Sequence, residues 1–277
     1  MGFAKYHEDI VSRYVHDHAI RQSHVSTPKQ NCRSDKHENQ AKQKQQQRTV
    51  QMSSLKEFVA TTPRPLPVIV LADTSGSMSE NGKIEALNQS LKEMIQTFAT
   101  ESRVRAEIQV GVITFGGATA EVHLPLTPAH QIIDTKPMGA KGSTPMGQAF
   151  DAVRSLLEDR QLIPSRAYRP VLILVSDGLP TDDWERPFTE LQTAERAQKA
   201  TRFAMAIGSD ADEAMLAQFA NDHEAPLFKA HEARDIHRFF RAVTMSVTSR
   251  SASANPDLAA GIHLAALPDD ETLDLDF

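Results

Sequence analysis

Five oxygen-bearing residues stand where they could hold a hard metal ion. Asp73, Ser75 and Ser77 alternate within Asp73-Thr74-Ser75-Gly76-Ser77. Thr144 lies in Gly142-Ser143-Thr144-Pro145, and Asp177 closes the apolar run LILVSD (172–177). The acids supply charge and the hydroxyls supply neutral oxygens. That donor set suits Mg²⁺, which takes near-octahedral oxygen ligands and keeps part of its water; Mn²⁺ is the second candidate. No cysteine or histidine falls in these motifs, which argues against zinc there. Each residue also has a plain use. Ser75 and Ser77 could cap the next helix, Thr144 could cap the helix that Pro145 opens, and Asp177-Gly178 could form a turn. Three such coincidences explain less than one shared site does.

The elements that would position these residues can be read from the pattern. LPVIVLAD (66–73) is a continuous apolar run, as expected of a strand covered on both faces. Residues 83–100 put Ile84, Leu87, Leu91, Met94, Ile95 and Phe98 on one helical stripe. Residues 106–115 read as a strand, and 119–126 as an antiparallel edge strand after a Gly-Gly turn. A helix is expected over 144–161 with Pro145 in its first turn, and a buried strand over 169–177. Further helices are expected over 188–202, 211–222 and 233–249, and strands over 203–208 and 225–230. Alternating strands and helices predict an α/β fold, a doubly wound, mostly parallel sheet with one antiparallel edge strand and helices on both faces. In such sheets ligands sit beyond the carboxyl ends of the strands, where Asp73 and Asp177 fall. Gly76 and Gly178 are expected to serve tight turns beside them.

With those elements in place, the five residues resemble the metal-ion-dependent adhesion site of von Willebrand factor A (VWA) domains. The resemblance covers about residues 64–250. Asp-x-Ser-x-Ser alone is a weak pattern; at the end of an apolar strand, with GSTP and VSDG downstream, it is specific. LPVIVLADTSGSM, IEALNQ, GVITF, GSTPMGQAF and LVSDGLPTDDW are most similar to the bacterial tellurium-resistance VWA proteins of the TerY type. The cysteine-rich metal-binding segment expected after the domain in many of those is not found in this chain. The resemblance implies recognition and not catalysis. The two serines and the threonine would touch the metal, the acids would act directly or through water, and a partner's Glu or Asp would take the open position. It also implies a cytoplasmic adaptor in bacterial stress-response or defence phosphorylation, with a protein kinase and a PP2C-type phosphatase as partners. The alternative is a substrate adaptor for an AAA+ ATPase, and a metal-dependent phosphohydrolase ranks below both.

Other classes fit the residues less well. Gly76 to Lys83 invites a phosphate-loop reading, but the spacing is one residue too long and Ile84 stands where a Ser or Thr is required. A haloacid-dehalogenase-type phosphatase needs Asp-x-Asp, and position 75 is serine. No Gly-x-Ser-x-Gly elbow is present. Net charge is −6, which gives no reason to expect nucleic-acid binding, and no run of 18 apolar residues suggests a membrane span. A single cysteine, Cys32, cannot form an intramolecular disulfide.

The ends differ from the middle. Residues 1–51 carry nine Lys/Arg against five Asp/Glu and include the polar run QAKQKQQQR, so a basic, Gln-rich, largely disordered extension is expected. His16, His18, His24, Cys32 and His37 have zinc-ligating types, but their spacing matches no zinc pattern. Residues 251–277 hold six acids and no Lys or Arg, and read as an acidic disordered tail. Its Leu and Phe residues would also allow it to dock in a basic, apolar groove. Trp184, the only tryptophan, is either a partner anchor or a local packing residue, and Asp182 and Asp183 either attract cations or are solvated.

Overall fold

The computed structural model describes residues 63–101, 103–221 and 227–257. Strand β1 (Arg64–Asp73) is buried from Pro65 onward because both of its faces are covered. Leu66, Val68, Val70 and Ala72 point into one core cluster, and Ile69 and Leu71 into the other. β4 (Val171–Ser176) divides in the same way, with Val171, Ile173 and Val175 on one side and Leu172 and Leu174 on the other. This is why both read as unbroken apolar runs.

Among the described residues, the sheet has six strands in the order β3-β2-β1-β4-β5-β6. β2 spans Ala106–Gly116, β3 Thr119–Pro128, β5 Thr201–Ile207 and β6 Phe228–Ala230. All neighbours pair in parallel except β2 with β3. α1 (Lys83–Thr100) and α6 (Ala233–Ala252) cover one face; the six predicted stripe residues of α1 are all buried there. α2 (Met146–Glu158), α3 (Glu185–Thr193), α4 (Glu195–Lys199) and α5 (Glu213–Phe219) cover the other face. The fold is the expected doubly wound α/β sheet with one antiparallel edge strand.

Several boundaries move for local reasons. The helix expected over 144–161 starts at Met146, with Pro145 in the cap position. It stops at Glu158 because the Asp159 carboxylate accepts the Gln161 N–H at 2.7 Å, which diverts the chain into a turn. The helix expected over 188–202 is two helices, since Ala194 is extended at φ −63°, ψ 133°, and Thr201 and Arg202 belong to β5. β4 ends at Ser176, so Asp177 stands one residue past the strand. The last helix runs to Ala252, past the tail boundary expected at 251. Beyond it, Asp257 accepts the Arg169 N–H at 2.9 Å, and Arg250 bonds the carbonyls of Arg169 and Pro256. The expected N-terminal extension and tail residues 258–277 lie outside the described residues. Among the described residues, no helix is long and apolar enough to cross a membrane.

Candidate metal centre

The carboxyl ends of β1 and β4 lie side by side, since Ala72 pairs with Val175. That pairing brings Asp73 and Asp177 together although 104 positions separate them in the sequence. Both are buried, Asp73 at 0% and Asp177 at 1% exposure. After Asp73 the chain makes a 3-10 turn over Gly76–Ser79, which turns Ser75 and Ser77 back toward the strand ends. Ser77 Oγ donates to Asp177 Oδ1 at 2.7 Å, Ser75 Oγ reaches the same oxygen at 3.4 Å, and the two hydroxyls lie 3.1 Å apart. Neither serine side chain caps a helix, so the plain capping use is not what the fold makes of them.

Asp73 is held differently. Its Oδ1 accepts the Ser75 N–H at 2.8 Å, and its Oδ2 accepts the Ser176 hydroxyl at 2.5 Å. Burial pushes its carboxyl above the ordinary value; the bonds from Ser176 and Ser75 oppose this, and the nearby Asp177 charge adds to it. Asp73 thus braces the Ser75 backbone while its own oxygens are taken up inside the protein.

Thr144 arrives on a separate loop that backbone bonds tie to the first. Lys141 N–H donates to Thr74 O at 2.8 Å, Gly76 N–H to Gly142 O at 2.9 Å, and Gly117 N–H to Ser143 O at 3.1 Å. Gly142 has φ +62°, and a Cβ there would stand 2.6 Å from Gly117 Cα, so only glycine fits. Thr144 is 5% exposed, and its hydroxyl faces Gly178, next to Asp177. Among the described residues that hydroxyl bonds none of the other four. The structure therefore joins Asp73, Ser75, Ser77 and Asp177 in one hydrogen-bonded cluster and sets Thr144 beside it.

The loop after β4 clamps the start of α2. Thr181 Oγ1 accepts the Thr144 N–H at 2.9 Å, and Asp182 accepts the Gly147 and Gln148 N–H groups at 2.9 and 3.1 Å. Asp182 is thus a helix cap and not a solvated acid. A Cβ at Gly147 would meet Asp183 O at 2.7 Å, which shows how closely the loop lies on the helix. Trp184 packs locally, 5.7 Å from the Phe188 ring. Gly76 and Gly178 do not adopt positive φ; among the described glycines that conformation falls to Gly82, Gly117, Gly142 and Gly208.

One contact of the centre carries no signal in the sequence. Lys83, the first residue of α1, donates to Asp177 Oδ2 at 2.7 Å. Its side chain is 15% exposed and that of Asp177 is 0%. In the sequence Lys83 stands only at the end of a failed phosphate-loop pattern. Ser176 and Thr181 were missed too, since neither stands out without its distant partner.

The donor set fits a hard divalent ion. Two carboxylates and a pair of convergent hydroxyls offer oxygen alone, with a third hydroxyl adjacent. Among the described residues no group of three or more His, Cys, Asp or Glu gathers, so a charge-rich or nitrogen-rich cage is not what this centre provides.

Residues 68–242 match the family model for the von Willebrand factor type A domain. Among solved structures, proximal thread matrix protein 1 of the mussel byssus is 19% identical with a TM-score of 0.54, over 68% of this chain and 48% of that one. Another structure of the mussel protein, at the same identity and TM-score, has a zinc-occupied MIDAS motif. The pilus adhesin SpaC of Lactobacillus rhamnosus GG is 14% identical with a TM-score of 0.54, over 67% of this chain and 31% of that one. A von Willebrand factor type A structure from Catenulispora acidiphila is 20% identical with a TM-score of 0.50, over 66% of this chain and 42% of that one. At such identities the likeness is one of fold, and the chain spans about half the length of the mussel protein. Comparison with curated proteins returns no match.

Proposed function

The chain belongs to the von Willebrand factor type A family, and from that premise we propose that it is a Mg²⁺-dependent protein-interaction module that captures an acidic side chain of a partner. VWA domains are in general interaction modules. The observation that carries the finer reading is the convergence of Ser75, Ser77 and Asp177 on one point at the strand ends, braced by Asp73 and flanked by Thr144. In this reading Ser75, Ser77 and Thr144 hold the ion through hydroxyl oxygens, and Asp177 and Asp73 hold it directly or through water. The ion supplies a Lewis-acidic position that a Glu or Asp carboxylate can occupy. Neutral hydroxyl ligands suit that task, because each fills a coordination place without cancelling any of the ion's charge.

No catalytic apparatus is part of this proposal. Likeness to TerY-type proteins supports a bacterial cytoplasmic adaptor in stress or defence phosphorylation, with a kinase and a PP2C-type phosphatase as partners. The mussel structure with zinc in its MIDAS motif makes metal identity part of the test. The test captures partners from a bacterial host lysate with the full chain and with Asp73→Ala, each in Mg²⁺, Mn²⁺, Zn²⁺ or EDTA. Circular dichroism checks the fold of the variant. A partner held by the wild type in Mg²⁺ and lost with the variant or in EDTA supports the reading. Equal capture in all conditions refutes it.

A further inference from the structure

The position of Lys83 is costly by ordinary helix chemistry. A cation on the first residue of a helix opposes the macrodipole, whose positive end lies there. The chain nevertheless aims this side chain inward. Asn81 and Gly82 both take positive φ, 55° and 70°, and that left-handed step leads directly into Lys83. The ammonium then meets Asp177 Oδ2 at 2.7 Å, while Ser77 and Ser75 hold Oδ1. Lys83 is therefore held in place and not a freely solvated surface lysine.

The charges give the placement a meaning. Asp73 and Asp177 bring two negative charges and Lys83 one positive. A divalent ion added beside an unmoved Lys83 would put two cations on one buried carboxylate, where a low effective dielectric makes repulsion strong. We infer that Lys83 is a tethered cation that competes with the divalent metal for Asp177, so that metal loading displaces the ammonium from Oδ2 without removing its charge from the centre. This rests on the metal-dependent reading and adds its regulation. With the ion absent, Lys83 keeps Asp177 paired. With the ion bound, the ammonium gives up Oδ2 but stays nearby on its four-carbon stem. The loaded centre then carries a net positive charge, which suits an acidic partner.

The experiment titrates Mg²⁺ by calorimetry into the full-length wild type, Lys83→Met, Lys83→Gln and the exposed-site control Lys92→Met. Both Lys83 variants are expected to bind Mg²⁺ about tenfold more tightly than the wild type, a change of about 1.4 kcal/mol. They are also expected to melt lower without Mg²⁺ and to gain more from its addition. Lys83→Gln keeps a donor for Asp177 and so guards against unfolding. The wild type itself gives a second measurement. In a chain labelled with ¹³C-lysine, the Lys83 side-chain resonances are expected to shift on Mg²⁺ addition while those of Lys92 stay. Unchanged or weaker affinity in the Lys83 variants, or an unmoved Lys83 signal in a wild type that binds Mg²⁺, overturns the inference alone. Absence of Mg²⁺ binding in every chain overturns it together with the metal-dependent reading.

Discussion

Replacing Gly116 by alanine is expected to disable the centre without touching any candidate ligand. Gly116 ends β2 directly beside Thr74, the residue between Asp73 and Ser75. An added Cβ would stand 2.3 Å from Thr74 O, 2.4 Å from Thr74 Oγ1 and 2.5 Å from Thr74 C. Comfortable contact needs about 3.5 Å, so one of the two backbones must move by about 1 Å. Thr74 O also accepts the Lys141 N–H at 2.8 Å, and Thr74 N–H donates to Phe115 O at 3.0 Å. Overpacking of this kind costs about 1–3 kcal/mol, and a strained backbone hydrogen bond adds about 1. For a domain of roughly 150–250 residues, the resulting 2–4 kcal/mol lowers Tm by about 4–16 °C. Mg²⁺ affinity should fall as well, because Ser75 and the 141–144 loop both hang from Thr74. Differential scanning calorimetry and Mg²⁺ titration measure the two effects. Gly139→Ala is the control, since nothing lies within 4 Å of a Cβ there. A Gly116→Ala chain that melts within about 1 °C of that control and binds Mg²⁺ equally would refute the reasoning.

Three further outcomes follow from the same geometry. Asp182→Ala removes the acceptor for the Gly147 and Gln148 N–H groups; it should cost about 1–2 kcal/mol and lower Tm by about 2–8 °C, with Asp182→Asn recovering part of the loss. Arg250→Met strands the Arg169 and Pro256 carbonyls at a position only 4% exposed; it should cost about 1–3 kcal/mol in a denaturant melt and speed proteolysis within residues 253–257. The Asp73 carboxyl is held above 3.8, so between that value and its raised one the folded chain keeps a proton that the unfolded chain has released. Its contribution to metal-free stability therefore falls as pH rises through that window, while Mg²⁺ affinity rises as the proton leaves. Mg²⁺ titrations at acid and neutral pH check the sign, and equal affinity at both would count against it.

The parts of the fold legible in the sequence are those with local causes. β1 and β4 stood out because both faces of each are covered, and α1 matches its reading of 83–100 because one stripe is buried and left-handed Gly82 precedes it. The break at Ala194 could not be read, because alanine favours helix on its own. The hydroxyl and acid members of the centre were visible through their types and spacing. The bonds that organise them were not. Lys83 reads as one more helix-surface lysine until the fold brings it to Asp177, 94 positions away. Gly116 and Gly142 likewise gain meaning only from a backbone that passes within van der Waals contact. Gly76 and Gly178, singled out by their nearness to the motifs, carry no left-handed conformation.

Among the described residues, the sheet leaves two strands without a neighbour on one side, β3 and β6. Unpaired backbone of this kind can recruit a second chain and start aggregation. Here both borders are poor templates. β6 has only three residues, too few to hold a passing strand in register. β3 carries Pro125 and Pro128, which have no N–H to offer, and its pairing with β2 shifts register on both sides of Val112. A domain from a family of interaction modules gains from staying dispersed, and these two blunted borders leave its own copies little to zip onto.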